Sequence, residues 1–249
     1  MTYDLTALAL LSGIFLFAGT VKGTVGIGLP TAAVGMMSQV IDPRAAISLV
    51  VLPSLLSNAW QILRAGGFVG ALRRYAAFLI CLCGLILMVS MTLTARIATD
   101  ALILVLGCVI VVFSALSLAW SPPMLSAKYD RAGQVVAGSV AGALGGLTAI
   151  WAPPMIIFLT ARRADKDEFV RATGVMIFIG TIPLLFGFWQ SGMLRPPDLL
   201  TGLFLTIPAL LGFQIGERLR RFLDTEKFRT AVLVIFLLLG FNLIRRALL

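Results

Sequence analysis

Long runs of apolar residues are the feature that most constrains how this chain can fold. About 20 apolar residues cross a hydrocarbon core of about 30 Å, and lipid offers no partner for backbone N–H and C=O groups, so runs of this length must be helices. Of the 249 residues, 59% are apolar and 12% are charged, whereas about a quarter of a soluble domain is charged. The sequence therefore predicts an all-α polytopic membrane protein.

Arg, Lys, Asp, Pro and Gly separate the apolar segments, which run roughly over 5–38, 45–63, 70–93, 97–120, 133–161, 169–190, 197–215 and 228–244. The first and the fifth segments are too long for one comfortable crossing. Both are interrupted by glycine clusters and proline, namely Gly19, Gly23, Gly26, Gly28 and Pro30, then Gly138, Gly142, Gly145, Gly146, Pro153 and Pro154. Each of the two is therefore predicted to be a broken or re-entrant helical hairpin.

The basic residues indicate which loops face the cytoplasm. If each long segment returns to the side on which it starts, and every other segment crosses once, the basic clusters at 64–74, 128–131, 162–171 and 218–229 share one side. Cytoplasmic loops carry an excess of Lys and Arg. This topology places the N-terminus outside the cytoplasm and the protein in the cytoplasmic (inner) membrane, and it accounts for the net charge of +9 without nucleic acid.

The two halves of the chain resemble each other. The spacing of Gly19, Gly23 and Gly26 recurs in Gly138, Gly142 and Gly145. We therefore expect one transmembrane domain, 1–249, made of two repeats, 1–127 and 128–249, each with a broken hairpin followed by three spanning helices. Because each repeat then crosses the membrane an odd number of times, the second is inverted. Inverted repeats with paired broken helices are typical of secondary transporters, whose site lies at the repeat interface.

At these glycine-rich breaks the sequence resembles the sulfite exporter TauE/SafE family. The resemblance is carried by Gly19 to Pro30 (GTVKGTVGIGLP), by Asp42 to Ser48 leading into a span that reaches Asn58, by Ala137 to Pro154 (AGSVAGALGGLTAIWAPP) and by Val170 to Thr173. It covers nearly the whole chain. It implies the passage of sulfite, thiosulfate or an organosulfonate, as export, with protons as the candidate coupling ion.

The chemistry of a broken helix favours a small anion as substrate. A half-helix N-terminus carries about half a positive charge, and glycine lets the backbone approach a ligand closely. Hydroxyl and amide groups near the breaks can complete the shell. The predicted substrate-binding residues are Lys22, Gly23, Thr24, Gly26, Gly28, Ser54, Asn58, Gln61, Gly142, Gly145, Gly146, Thr148, Trp151 and Thr181.

Several of these residues also have a purely structural interpretation. The glycine motifs are also typical of close helix packing in membranes. Lys22, the one charge in the first long segment, contacts the anion or reaches the outer interface along its apolar stem. Asn58 and Gln61 line a pathway or hold helices together, and Trp151 forms an apolar wall or gate.

The composition also weighs against other functions. The sequence has no histidine and no mid-span pair of carboxylates, so we expect neither an intramembrane enzyme nor a metal site, and no cofactor is expected. A passive anion channel and a transporter of a non-sulfur carboxylate stay as alternatives. The expected partners are a small anion and membrane lipid, and an oligomer is compatible with the sequence.

Overall fold

A computed structural model describes residues 3–249, with the backbone only at Thr225. Met1 and Thr2, with which the predicted first repeat begins, lie outside the described residues. Within 3–249 the chain is helical and forms no strand. The helices are α1 (Leu5–Val25), α2 (Leu29–Met37), α3 (Pro43–Leu49), α4 (Val51–Ala65), α5 (Phe68–Arg74), α6 (Ala76–Thr92), α7 (Thr99–Ala119), α8 (Asp130–Thr148), α9 (Ala152–Ala161), α10 (Lys166–Gln190), α11 (Pro196–Leu219) and α12 (Thr225–Leu248).

Within residues 3–249, six helical segments are long and apolar enough to cross a membrane. They are Leu5–Val25, Pro43–Ala65, Thr99–Ala119, Lys166–Gln190, Pro196–Leu219 and Glu226–Leu248. A bent pair, α5 with α6, passes the same test with an angle of 83° between its helices. The predicted class, an all-α polytopic membrane protein, is thereby confirmed.

Aspartates fix where several of these helices begin. The side chain of Asp4 accepts a hydrogen bond of 2.8 Å from the Ala7 amide, and Asp165 and Asp224 cap α10 and α12 in the same way. Asp42 caps α3, whose first residue is Pro43. A carboxylate at this position satisfies amides that have no partner inside the helix, and proline is favoured at the first helical position because it has no N–H to satisfy.

Both long apolar segments form two helices, as predicted. The first is interrupted between α1 and α2 at residues 26–28, and the other between α8 and α9 at residues 149–151. The predicted single segment at 70–93 differs from the structure, because its first residues belong to the separate short helix α5. Tyr75 leaves helical geometry there, with φ −110° and ψ 23°.

The chain folds into two compact units, each assembled from segments that are distant in sequence. Unit 1 contains residues 3–53, Ile97–Trp120 and Met193–Leu249, and unit 2 contains Ser54–Arg96 and Ser121–Gly192. Each unit therefore includes one of the two helix breaks together with helices from both halves of the chain.

In unit 1, α1 packs against α11 with the two backbones in direct contact. A Cβ atom on Gly212 would lie 2.0 Å from the carbonyl oxygen of Leu16, and one on Gly216 would lie 2.2 Å from that of Thr20. Any side chain at these positions would push the helices apart, so glycine is required. Close approach through small residues is a usual way of packing helices in a membrane.

In unit 2, a cluster of polar and aromatic side chains joins the ends of α6, α8, α9 and α10. The hydroxyl of Tyr75 donates a hydrogen bond to Glu168, which also pairs with Arg74 at 3.1 Å. Arg162 pairs with Asp130 at 3.0 Å, and its guanidinium lies 5.0 Å from the centre of the Tyr75 ring. These contacts fix the two helices that flank the second break.

Candidate functional site: two helix breaks

The structure distributes the predicted substrate-binding residues over both units. Unit 1 holds Lys22, Gly23, Thr24, Gly26 and Gly28; unit 2 holds Ser54, Asn58, Gln61, Gly142, Gly145, Gly146, Thr148, Trp151 and Thr181. Each break is therefore described with the residues of its own unit.

Two glycines with left-handed backbones form the first break. Gly26 ends α1 with φ 94° and donates its N–H to the carbonyl oxygen of Lys22 over 2.7 Å. Gly28 precedes α2 with φ 104°, and its carbonyl oxygen accepts from Ala32 over 2.9 Å. Because L side chains rarely adopt such angles, these two glycines let the chain leave one helix and start the next within three residues.

Lys22 lies in the last turn of α1, just before this break, and is only 1% exposed. Its Nζ atom lies 5.6 Å from the centre of the Phe213 ring on α11, a distance at which the face of the ring attracts a cation. A charge inside a membrane span costs about 2.5 kcal/mol or more, and such residues usually mark a functional site. The first break therefore places a basic group at membrane depth.

Thr31 is a candidate residue at the first break that the sequence-based set omitted. It lies in the first turn of α2 and is 1% exposed, and its Oγ1 atom has no hydrogen-bond partner among the described residues. The signal was present in the sequence, since this hydroxyl directly follows Pro30. A buried hydroxyl without a partner costs about 1–3 kcal/mol, so this atom is suited to a polar ligand.

The second break is built differently. Ala149 ends α8 in the left-handed region with φ 57°. The Thr148 hydroxyl holds the turn, because it donates to the carbonyl oxygen of Leu144 over 2.7 Å and accepts from the Ile150 amide over 3.1 Å. The Thr148 hydroxyl is therefore committed to fixing the backbone.

Trp151 closes the second break and is 2% exposed. Its ring packs between two glycines: a Cβ on Gly145 would lie 2.8 Å from Cε3, and one on Gly180 would lie 3.4 Å from Cε2. The indole Nε1 has no hydrogen-bond partner within residues 3–249. Since an indole N–H can only donate, this atom is suited to an acceptor such as an oxyanion.

In unit 1, Gly23 and Thr24 lie where α1 packs on α11. A Cβ on Gly23 would lie 2.2 Å from the carbonyl oxygen of Phe213. The Thr24 hydroxyl donates to the carbonyl oxygen of Thr20 over 2.9 Å and to that of Gly216 over 3.3 Å. Both residues therefore hold the helix that carries Lys22 against its neighbour.

In unit 2, Gly142 and Gly146 lie against α6. A Cβ on Gly142 would lie 2.8 Å from the carbonyl oxygen of Leu82, and one on Gly146 would lie 2.7 Å from a valine side chain of α6. The Thr181 hydroxyl donates to the carbonyl oxygen of Ile177, one turn earlier in its own helix. These residues support α8 and α10 on either side of Trp151.

The amides of Asn58 and Gln61 donate to backbone carbonyl groups. Asn58 Nδ2 donates to the Ser54 oxygen over 2.7 Å, and Gln61 Nε2 donates to the Val170 oxygen over 2.8 Å. One N–H₂ group of each side chain is therefore engaged with the backbone, while the amide oxygens Oδ1 and Oε1 have no partner in the described part of the chain.

Within residues 3–249 no group of three or more His, Cys, Asp or Glu side chains could hold a metal ion. No curated protein and no solved structure matches the chain. The family model for the sulfite exporter TauE/SafE, however, matches residues 11–243. This match covers most of the chain and agrees with the membrane-spanning helices and the two breaks. The chain therefore belongs to the sulfite exporter TauE/SafE family.

Proposed function

We propose that the protein is a secondary transporter that exports a small sulfur-containing anion, such as sulfite, thiosulfate or an organosulfonate, by alternating access. The observation that carries the proposal is Lys22, a basic side chain 1% exposed at the end of α1, next to the break from which α2 starts. An anion held there meets a positive charge in surroundings where electrostatic attraction is strong.

The first break also offers hydrogen-bond donors. In the first turn of α2, Pro30 has no N–H, but the N–H groups of Leu29 and Thr31 have no partners inside the helix, and the positive end of the helix dipole favours an anion. The Thr31 hydroxyl adds a side-chain donor in the same turn. An oxyanion of sulfur needs several donors and no carboxylate, and α1 and α2 carry no acidic residue.

The second break contributes a donor without a charge. Trp151 offers its indole N–H, whereas Pro153 and Pro154 at the start of α9 have no N–H to donate. The first break therefore offers an anion a positive charge, whereas the second break offers a directional hydrogen bond without a charge.

The membrane setting completes the proposal. Large apolar side chains are exposed along α11, including Leu200, Leu203, Ile207 and Leu211, and we assign this surface to lipid. We place the protein in the cytoplasmic membrane with its N-terminus outside, on the distribution of basic residues. Protons are the proposed coupling ion.

The test is uptake of labelled sulfite into vesicles that contain the purified protein, with and without a pH gradient. Saturable uptake that thiosulfate and sulfoacetate inhibit is expected, and counterflow of labelled substrate should distinguish a carrier from a channel. A response to the pH gradient would support proton coupling. If small carboxylates move and no sulfur anion does, the proposed substrate class is wrong.

A paired variant tests the site. Lys22→Met keeps the length of the side chain and removes its charge, and it should abolish most of the uptake. Lys227→Met is the matched control, since the Lys227 side chain is 87% exposed and should leave uptake unchanged. Equal uptake by both variants and the wild type would contradict an anion site at the first break.

A further inference from the structure

One face of α4 carries three buried polar side chains in unit 2. Ser54, Asn58 and Gln61 are spaced four and three residues apart, so they lie on the same side of the helix. Their exposures are 3%, 1% and 5%. A row of this kind inside a membrane-spanning segment needs an explanation beyond packing, because each buried polar atom without a partner costs about 1–3 kcal/mol.

The hydrogen bonds fix which atoms this row presents. Asn58 Nδ2 faces the carbonyl oxygen of Ser54 at 2.7 Å, and Gln61 Nε2 faces that of Val170 at 2.8 Å. Turning either amide round would set two oxygens against each other, so the orientations are determined. The atoms left without a partner among the described residues are Ser54 Oγ, Asn58 Oδ1 and Gln61 Oε1.

Asn58 Oδ1 and Gln61 Oε1 are unsuited to an anion, whereas the Ser54 hydroxyl can donate or accept and therefore suits either charge. Amide oxygens can only accept hydrogen bonds, and they repel a sulfite or sulfonate oxygen. They match a cation with oxygen ligands, as hydroxyl and carbonyl oxygens do in sodium-coupled transporters. A divalent ion prefers carboxylates, and α4 has none. We infer that this face of α4 binds a small monovalent cation, of which Na⁺ is the representative.

The spacing makes Asn58 the central ligand. Neighbouring members of the row have Cβ atoms about 5–6 Å apart, close enough for one ion to contact two of them. Ser54 and Gln61 are about 10 Å apart along the helix axis at about 1.5 Å per residue, too far to share an ion. An ion that contacts two side chains of the row therefore always contacts Asn58 Oδ1.

The surrounding charge favours the pair Ser54 and Asn58. The Gln61 amide donates a hydrogen bond to the carbonyl oxygen of Val170. The residue after Val170 is Arg171, and its side chain packs near Gly67, where a Cβ would lie 3.0 Å from Arg171 Cδ. A cation near Gln61 would be repelled by this guanidinium. We therefore place the ion between Ser54 Oγ and Asn58 Oδ1.

The test measures thermal unfolding of the purified full-length protein at fixed pH and without a transported anion. NaCl is replaced step by step by choline chloride, so that ionic strength and chloride stay constant. Na⁺ should raise the unfolding midpoint with the logarithm of its concentration above the Kd, by about 5 °C or more at a hundredfold excess. LiCl and KCl arms define the selectivity.

Variants make the result specific. Asn58→Leu replaces the amide with an apolar side chain of similar size and should lose the response to Na⁺. Ser54→Ala should weaken the response to Na⁺, and this variant provides the test if Asn58→Leu does not fold. Ser90→Ala is the control, since this buried hydroxyl of unit 2 donates to the Leu87 oxygen of its own helix.

The outcomes separate this inference from the proposed transport function, because no anion is present. A midpoint that does not respond to Na⁺, Li⁺ or K⁺ would overturn it and leave anion transport untouched. A wild-type response in Asn58→Leu would also overturn it.

Discussion

The two helix breaks solve the same geometrical problem with different chemistry. The first uses two left-handed glycines, Gly26 and Gly28, and follows the last turn of α1, which contains Lys22. The second uses Ala149 in the left-handed region, fixed by the Thr148 hydroxyl, and contains no charged residue between 132 and 161. The two breaks therefore follow helices with the same glycine spacing but differ in their polar groups.

The difference gives each break its own chemistry. The first has a basic side chain and an unpartnered hydroxyl, whereas the second has a single indole N–H without a partner within residues 3–249. The helix packing differs too. A Cβ on Gly23 would meet only backbone atoms of α11, at 2.2–2.9 Å, whereas at Gly145 and Gly146 the nearest atoms belong to side chains. The following variants compare the two breaks directly.

The largest effect is expected from Gly23→Ala, which forces the backbones of α1 and α11 apart. We expect a loss of about 3 kcal/mol in the free energy of unfolding, or about 6–12 °C in the melting midpoint. Gly146→Ala at the second break should lose less, because its closest contact, Val89 Cβ at 2.7 Å, is longer than the 2.2 Å contact at Gly23. Gly13→Ala, with nothing within 4 Å, is the control. Equal losses of stability in Gly23→Ala and Gly146→Ala would show that the helix packing at the two breaks does not differ in this way.

Next in size is the effect of Lys22→Met on anion affinity. A hydrogen bond to a charged group contributes about 1.5–3 kcal/mol, so the Kd for sulfite should rise about 10- to 100-fold. Trp151→Phe keeps a ring between Gly145 and Gly180 but loses the N–H, and should raise the Kd by only about two- to tenfold. Isothermal titration of the purified proteins measures both. A larger rise in the Kd for Trp151→Phe than for Lys22→Met would show that the indole N–H contributes more to anion binding than the lysine charge.

A smaller effect is expected from Thr31→Val, which replaces the hydroxyl with a methyl group of similar size. The Kd for sulfite should rise about two- to tenfold, while stability without substrate should stay the same or rise, because a buried polar atom without a partner has been removed. Anion binding and thermal unfolding measured on the same sample separate these outcomes. Unchanged binding would exclude Thr31 from the site.

The smallest effect is expected from Ala149→Gly. Relieving a left-handed alanine should stabilise the protein by about 1 kcal/mol, less the entropy that glycine adds to the unfolded chain. The reverse change, Gly26→Ala at the first break, should destabilise by at least as much. Thermal unfolding measures the change in stability of each variant. Changes of opposite sign would show that the two breaks share a backbone geometry, and changes of the same sign would show that they do not.

The sequence predicted the membrane class and both helix breaks because these depend on local features. Length and apolar composition determine the spans, and clustered glycine with proline interrupts a helix. The short helix α5 was not predicted, since the turn at Tyr75 depends on its contacts with Glu168 and Arg162, which lie far along the chain. Contacts of this kind leave no local pattern.

The candidate residues show the same limit. Lys22 and Trp151 could be selected from sequence because a charge or an indole at a break is conspicuous. The direction of the Asn58 and Gln61 amides could not, because it depends on the carbonyl oxygens of Ser54 and Val170. Thr31 was omitted for a related reason, since only the packed structure shows that its hydroxyl has no neighbour to bond within residues 3–249.

The backbone contact between α1 and α11 has a genetic consequence. In unit 2 the two atoms nearest a Cβ on Gly146 are Cβ and Cγ1 of Val89, so a second mutation of Val89 to glycine removes both. At Gly23 the opposing atoms belong to the backbone of Phe213, Gly216 and Glu217, which no codon change can shorten. A suppressor screen on a Gly23 mutant should therefore yield mainly revertants to glycine, and this helix pair should tolerate the least sequence drift.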